Sequence, residues 1–180
     1  MKHKLIILIT LTLLFPVLPT LGQTANGWRN VRPSADGAAA SKQLQKKGLR
    51  AIKTQGDTLR LSDRFADLPC EVAIPRNSEN DYTAAFIITF PDRWSWAGLL
   101  NEFDSIEKAL VEQFGAPSYT HKEFQNESIM HRRPNKYQDV IQGLCTWRSD
   151  WDTDKTGVHL WIESATDTTR TYTRLLIENH

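Results

Sequence analysis

The chain has 180 residues, with 22 Lys and Arg against 21 Asp and Glu, for a formal net charge of +1. A near-neutral chain excludes a generic nucleic-acid binder, which needs an excess of Lys and Arg. Once the first 22 residues are set aside as a leader, 158 remain, about 37% of them apolar, with a net charge of −1. No later apolar run approaches the ~20 residues of a membrane span.

The leader is read from its order of parts. Lys2 and Lys4 precede Leu5 to Val17, which is apolar apart from Thr10, Thr12 and Pro16. Pro19-Thr20-Leu21-Gly22 then supplies small residues before a cut at Gln23. An apolar core of about 13 residues is too short to anchor the chain. No cysteine lies near the cut to carry a lipid. Residues 1–22 are therefore expected to be a signal peptide. Residues 23–180 are expected to form a single secreted α+β domain, periplasmic or extracellular. The only cysteines are Cys70 and Cys145. In an oxidising compartment such a pair predicts a disulfide, worth at most about 4.5 kcal/mol for a loop of this size. Two free buried thiols are the alternative. A reactive cysteine has neither a Cys-x-x-Cys pair nor a local motif behind it.

Gln23 to Ser34 reads as a polar lead-in anchored by Trp28 and Val31. Asp36 is placed to cap a helix over Gly37–Lys47, with Ala40 and Leu44 on its apolar stripe and Gly48 as its stop. Period-2 alternation predicts strands at Asp57–Ser62, Cys70–Ile74 and Tyr82–Phe90. The turn-rich Pro75–Asp81 joins the last two as a hairpin. Trp96, Leu99, Leu100, Phe103, Ile106, Leu110 and Phe114 recur at helical steps. Asp104-Ser105-Ile106-Glu107 has the form of a capping box, which predicts a break or second start there. Gly115 and Pro117 close this helix. Tyr119–Pro134 reads as an irregular polar loop, and Asn135–Gln142 as a short helix. Three strands follow: Leu144–Trp151, Val158–Glu163 and Thr171–Glu178. Helix, three strands, helix, three strands is a pattern-level repeat, and each unit holds one cysteine. The fold expected is an antiparallel sheet of five to six strands with helices on one face, as a duplicated unit or as a plain α+β sandwich.

The motifs at the element ends carry a resemblance. Lys46-Lys47-Gly48-Leu49, Phe65-Ala66-Asp67-Leu68-Pro69-Cys70, Phe90-Pro91 leading to Trp96, Phe114-Gly115-Ala116-Pro117, and Cys145 with Trp147 are its parts. From Leu44 to the C-terminus the chain resembles an uncharacterised group of small secreted proteins of gut-type Gram-negative bacteria. The helix-plus-strands repeat is also similar, more loosely, to the β-lactamase-inhibitor-protein-like and outer-membrane-assembly lipoprotein folds. It lacks the lipidated cysteine of the assembly lipoproteins. The resemblance implies a fold and brings no catalytic residue.

Catalytic signatures are absent from the sequence. His121, His131, His159 and His180 show no His-x-x-x-His spacing, and the nine glycines form no phosphate loop or Gly-x-Ser-x-Gly elbow. Asp150, Asp152 and Asp154 alternate as in a calcium loop, but Lys155 stands where that loop needs a different residue, so a hairpin turn is expected. His131-Arg132-Arg133 reads as a solvated basic run, and Asn126-Glu127-Ser128 fits a glycosylation sequon, which carries little meaning if the source is bacterial, as the resemblance implies. No metal and no cofactor are expected.

Tryptophan is the more informative signal, with six in the chain. Trp96 and Trp147 fall on inferred core faces. Trp161 lies on the opposite face of its strand from Val158, Leu160 and Ile162. That second face gathers Arg148, His159, Trp161, Glu163, Tyr172 and Arg174, a composition resembling protein-interface hot spots. Such a face also suits stacking on sugars, unless a loop such as Tyr119–Pro134 folds over it. The function expected is a non-enzymatic secreted or periplasmic binding protein, with a protein or glycan partner on this face. The alternatives are an envelope- or glycan-directed hydrolase and a proteinaceous inhibitor of a secreted enzyme.

Overall fold

The computed structural model describes residues 27–34, 36–52, 58–75, 85–125, 135–165 and 170–180. The leader and its cut, the sequon, His131-Arg132-Arg133 and Thr166–Thr169 lie outside them, as does most of Pro75–Asp81. The elements run α1 (Gly37–Lys46), β1 (Arg50–Ala51), β2 (Thr58–Phe65), β3 (Leu68–Pro75), β4 (Ala85–Thr89), α2 (Trp96–Phe114), β5 (Tyr119–Phe124), α3 (Lys136–Ile141), β6 (Cys145–Asp152), β7 (Thr156–Ser164) and β8 (Thr171–Asn179). The strands form one antiparallel sheet in the order β1-β2-β3-β4-β8-β7-β6-β5. The chain is thus α+β, but the sheet has eight strands and not five to six. The two additions are β1 and β5 at its edges. β1 is two residues long, and β5 (Tyr-Thr-His-Lys-Glu-Phe) is mostly polar. Charged edge strands discourage pairing with other chains, and the same charges erase the apolar alternation.

One face of the sheet is core. Leu61, Val72, Ile88, Leu175 and Leu160 stand side by side on β2, β3, β4, β8 and β7, each at most 1% exposed. Helix α1 covers β2 and β3, α2 covers β7 and β8, and α3 covers β6 and β7. The Asp36 carboxylate caps α1, accepting from the Ala39 amide at 2.9 Å. Gly37 lets this helix seat on the end of β3, because a Cβ there would lie 2.4 Å from the Pro75 carbonyl oxygen. The lead-in is anchored as expected: Trp28 and Val31 are buried, and Trp28 Nε1 donates to Asp63 at 2.8 Å.

Helix α2 is continuous over its 19 residues, capped by Ser95, whose hydroxyl accepts from the Gly98 amide at 3.1 Å. The break expected at Asp104 does not occur. Ser105 Oγ donates back to the Asn101 carbonyl at 2.7 Å, the i−4 bond a serine makes inside a helix. Glu107 reaches instead for the sheet, where Lys122 Nζ lies 2.7 Å from its carboxylate.

The expected bridge between Cys70 and Cys145 is not made, and both are free thiols. They do face the same side, but β4, β8 and β7 lie between β3 and β6. Four strand spacings of about 4.8 Å separate them by roughly 19 Å, whereas a disulfide holds its Cα atoms within about 7 Å. Burial pushes both thiols up to about 12, which leaves almost no reactive thiolate at neutral pH. The melting temperature should therefore be the same with and without a thiol reductant. Thiol titration should find two groups in the unfolded chain, reacting far more slowly in the native one. A reductant-induced fall in melting temperature contradicts this.

Candidate functional site

The opposite face of the sheet carries no described helix. Register alone assembles it: Ser62, Glu71, Thr89, Arg174, Trp161, Arg148 and His121 form one cross-strand row from β2 to β5. All six residues singled out by sequence fall on this face. Arg148, Trp161 and Arg174 are cross-strand neighbours by register, and the Arg174 guanidinium lies over the Tyr172 ring, 5.1 Å from its centroid. Glu163 pairs with Tyr172 one step along, and His159 lies on the other side of Trp161.

The charges on this face are joined in pairs. Arg148 Nε lies 2.7 and 2.8 Å from the two Asp150 oxygens. His159 Nδ1 is 2.9 Å from Asp150, and its Nε2 is 3.2 Å from Glu178. Arg174 lies 2.9 Å from Glu163 and donates to the Tyr172 hydroxyl at 2.9 Å. Trp161 Nε1 donates to the same Glu163 carboxylate at 3.1 Å. Burial pushes the Tyr172 phenol up, opposed by the adjacent Arg174 charge. Each pair is partly solvated, so each contributes only about 0–1 kcal/mol to stability. Their main effect is to fix side chains around the indole.

Two hollows open here. One, of about 540 Å³, is lined by Thr146, Arg148, His159, Trp161, Leu176 and Glu178 among others. The second, of about 610 Å³, lies toward β3 and β4, with Arg60, Glu71, Thr89, Tyr172 and Arg174 in its wall. Sequence reasoning missed Asp150 and Glu178 as the groups that hold His159. Alternation placed Leu176 and Ile87 on this face, but the candidate patch did not include them; they pair at its centre. The signal for Asp150 was present, since alternation along β6 places it on the Arg148 side. Asp150, Asp152 and Asp154 do not form a common loop site: Asp150 is bound to Arg148 and His159, and Asp152 lies 3.0 Å from His180 Nε2. The partners bonded to His159 among the described residues are the Asp150 and Glu178 carboxylates and the Arg148 guanidinium, which together orient the imidazole.

The other notable ionisable group is on the covered face. Glu102 of α2 is inside the core, its side chain 1% exposed, with the Arg93 guanidinium 2.6 Å away. Burial raises its carboxyl, while Thr173 and Arg93 oppose the shift. Arg93 also ties the segment before α2 to β8, its amide donating to the Thr171 carbonyl at 2.8 Å. The pair fastens the start of α2 over the sheet. It is a positioning element and not part of the open face.

No protein-family model, no curated protein and no solved structure matches this chain.

A raised carboxyl binds its proton more tightly in the folded state, so its contribution falls as pH rises past its ordinary value of 4.5. The natural chain should therefore lose stability relative to Glu102→Gln as pH rises from about 4 to 8 in urea unfolding. Parallel stability curves for the two contradict the assignment.

Proposed function

We propose that this chain is a non-enzymatic binding protein that works through the open face of its sheet. The observation that carries the reading is the Arg148–Trp161–Arg174 row, held in place by ion pairs on a face that no described helix covers. Tryptophan and arginine are the residues most enriched among binding hot spots. An indole held by its hydrogen bond to Glu163, beside arginines fixed by ion pairs, also loses little conformational freedom on binding. The leader supports a secreted or periplasmic location. The strand order supports a duplicated origin for the fold, since a helix and four strands recur on each side of the β4–β8 pairing, with α3 added to the second half. That repeat has four strands per unit where the sequence suggested three.

Proteins captured from envelope and culture extracts by the chain from Gln23 onward should be titrated against two baits. One is the natural sequence. The other is Trp161→Ala/Arg174→Ala, verified as folded by circular dichroism. Loss of a hot-spot residue costs about 2 kcal/mol or more, so a partner using this face should bind the variant roughly 30-fold more weakly or worse. Equal affinity for both baits removes the face from the reading.

A further inference from the structure

The charge pattern around Trp161 says more about the ligand. Both arginines next to the indole already have a carboxylate partner, Arg148 with Asp150 and Arg174 with Glu163, and the His159 ring lies within bonding distance of Asp150 and Glu178. An anionic ligand would have to displace one of these carboxylates from its arginine. A neutral ligand would not. The pairs still leave hydrogen-bonding capacity unspent, because a carboxylate has about four lone-pair sites and a guanidinium five N–H groups. The rim of the hollow therefore offers donors and acceptors side by side, with the arginines beside the indole already matched by carboxylates. Its centre is apolar, with Trp161 beside Leu176, and Leu176 paired with Ile87. The hollow's volume of about 540 Å³ is within the roughly 300–1,000 Å³ of small-ligand sites.

Resting on the binding reading above, we propose that this hollow takes a neutral glycan. A sugar ring is the chemical match to both halves of the site. Its C–H face is apolar and flat enough to lie on an indole. Its hydroxyl groups both donate and accept, so each can bridge a guanidinium N–H and a carboxylate oxygen without disturbing the ion pair between them. Trp161 is the platform. Arg148 and Glu178, on opposite sides of the hollow, are the polar contacts that orient the ring.

The test is a glycan array carrying neutral and acidic glycans, probed with the chain from Gln23, Trp161→Ala, Trp161→Phe and Arg148→Ala. Neutral glycans should be retained by the natural chain. Binding should fall at least tenfold in Trp161→Ala and stay within a few-fold in Trp161→Phe, which keeps an aromatic face. Arg148 is 46% exposed, so its replacement spares folding and carries the test should Trp161→Ala fail to fold. It should lower binding at least fivefold. Binding confined to acidic glycans, neutral binding indifferent to both alanine variants, or no binding to any glycan overturns the proposal. If the array is empty while a protein partner is lost with the Trp161→Ala/Arg174→Ala bait, the face is a binding site and only the ligand class is wrong. If both fail, the binding reading falls with it.

Discussion

The two half-sheets join where β4 pairs with β8, and the apolar contact across that seam holds the molecule together. Phe86 and Ile88 on β4 face Ile177 and Leu175 on β8, and all four side chains are at most 1% exposed. Burying side chains of this size contributes about 1.5–3 kcal/mol each. The same pairing sets the open face. Because side chains alternate along a strand, a slip of one residue at the seam would turn Arg174 into the core and Leu175 out to solvent. Arg174 stands beside Trp161 through the β7–β8 register and beside Thr89 through the seam. The buried row and the exposed row are therefore two consequences of the same strand registers.

The covered face shows how the helices are kept over that sheet. Apolar packing carries most of it, with Leu99, Phe103, Ile106 and Leu110 of α2 wholly buried. Two polar contacts add direction. Glu102 meets Arg93 near β8, and Glu107 meets Lys122 on β5. A buried ion pair is weak evidence for stability, because desolvation offsets much of the attraction. Its value here is positional: the two glutamates, five residues apart, fix α2 against strands on two sides of its axis.

Much of this was legible in the sequence, and the failures have physical causes. Strands with one buried face announced themselves by alternation, and so did the sidedness of Trp161. The helix stops at Gly48 and Gly115 were legible because both have positive φ, at 102° and 84°, where glycine is favoured. Strand β5 was hidden because an edge strand needs no apolar face. The turn between β2 and β3 was hidden because Ala66 and Asp67 take φ of 50° and 61° without a glycine to mark them. The cysteines misled for a different reason: alternation tells which face a residue is on, not how many strands lie between two residues on that face. Glu102 sits one residue from Phe103 on an apolar stripe, and nothing local to it names Arg93 as its partner.

One face of the sheet is core, and no described helix covers the other. Hydroxyl-radical footprinting read out by mass spectrometry tests it residue by residue. Trp151, at 2% exposure on the core side, supplies the internal standard of a protected tryptophan. Trp161 should be oxidised at least several-fold faster than Trp151 in the free protein. Equal protection of the two indoles would mean that the second face is also covered, and the account of the site would be wrong.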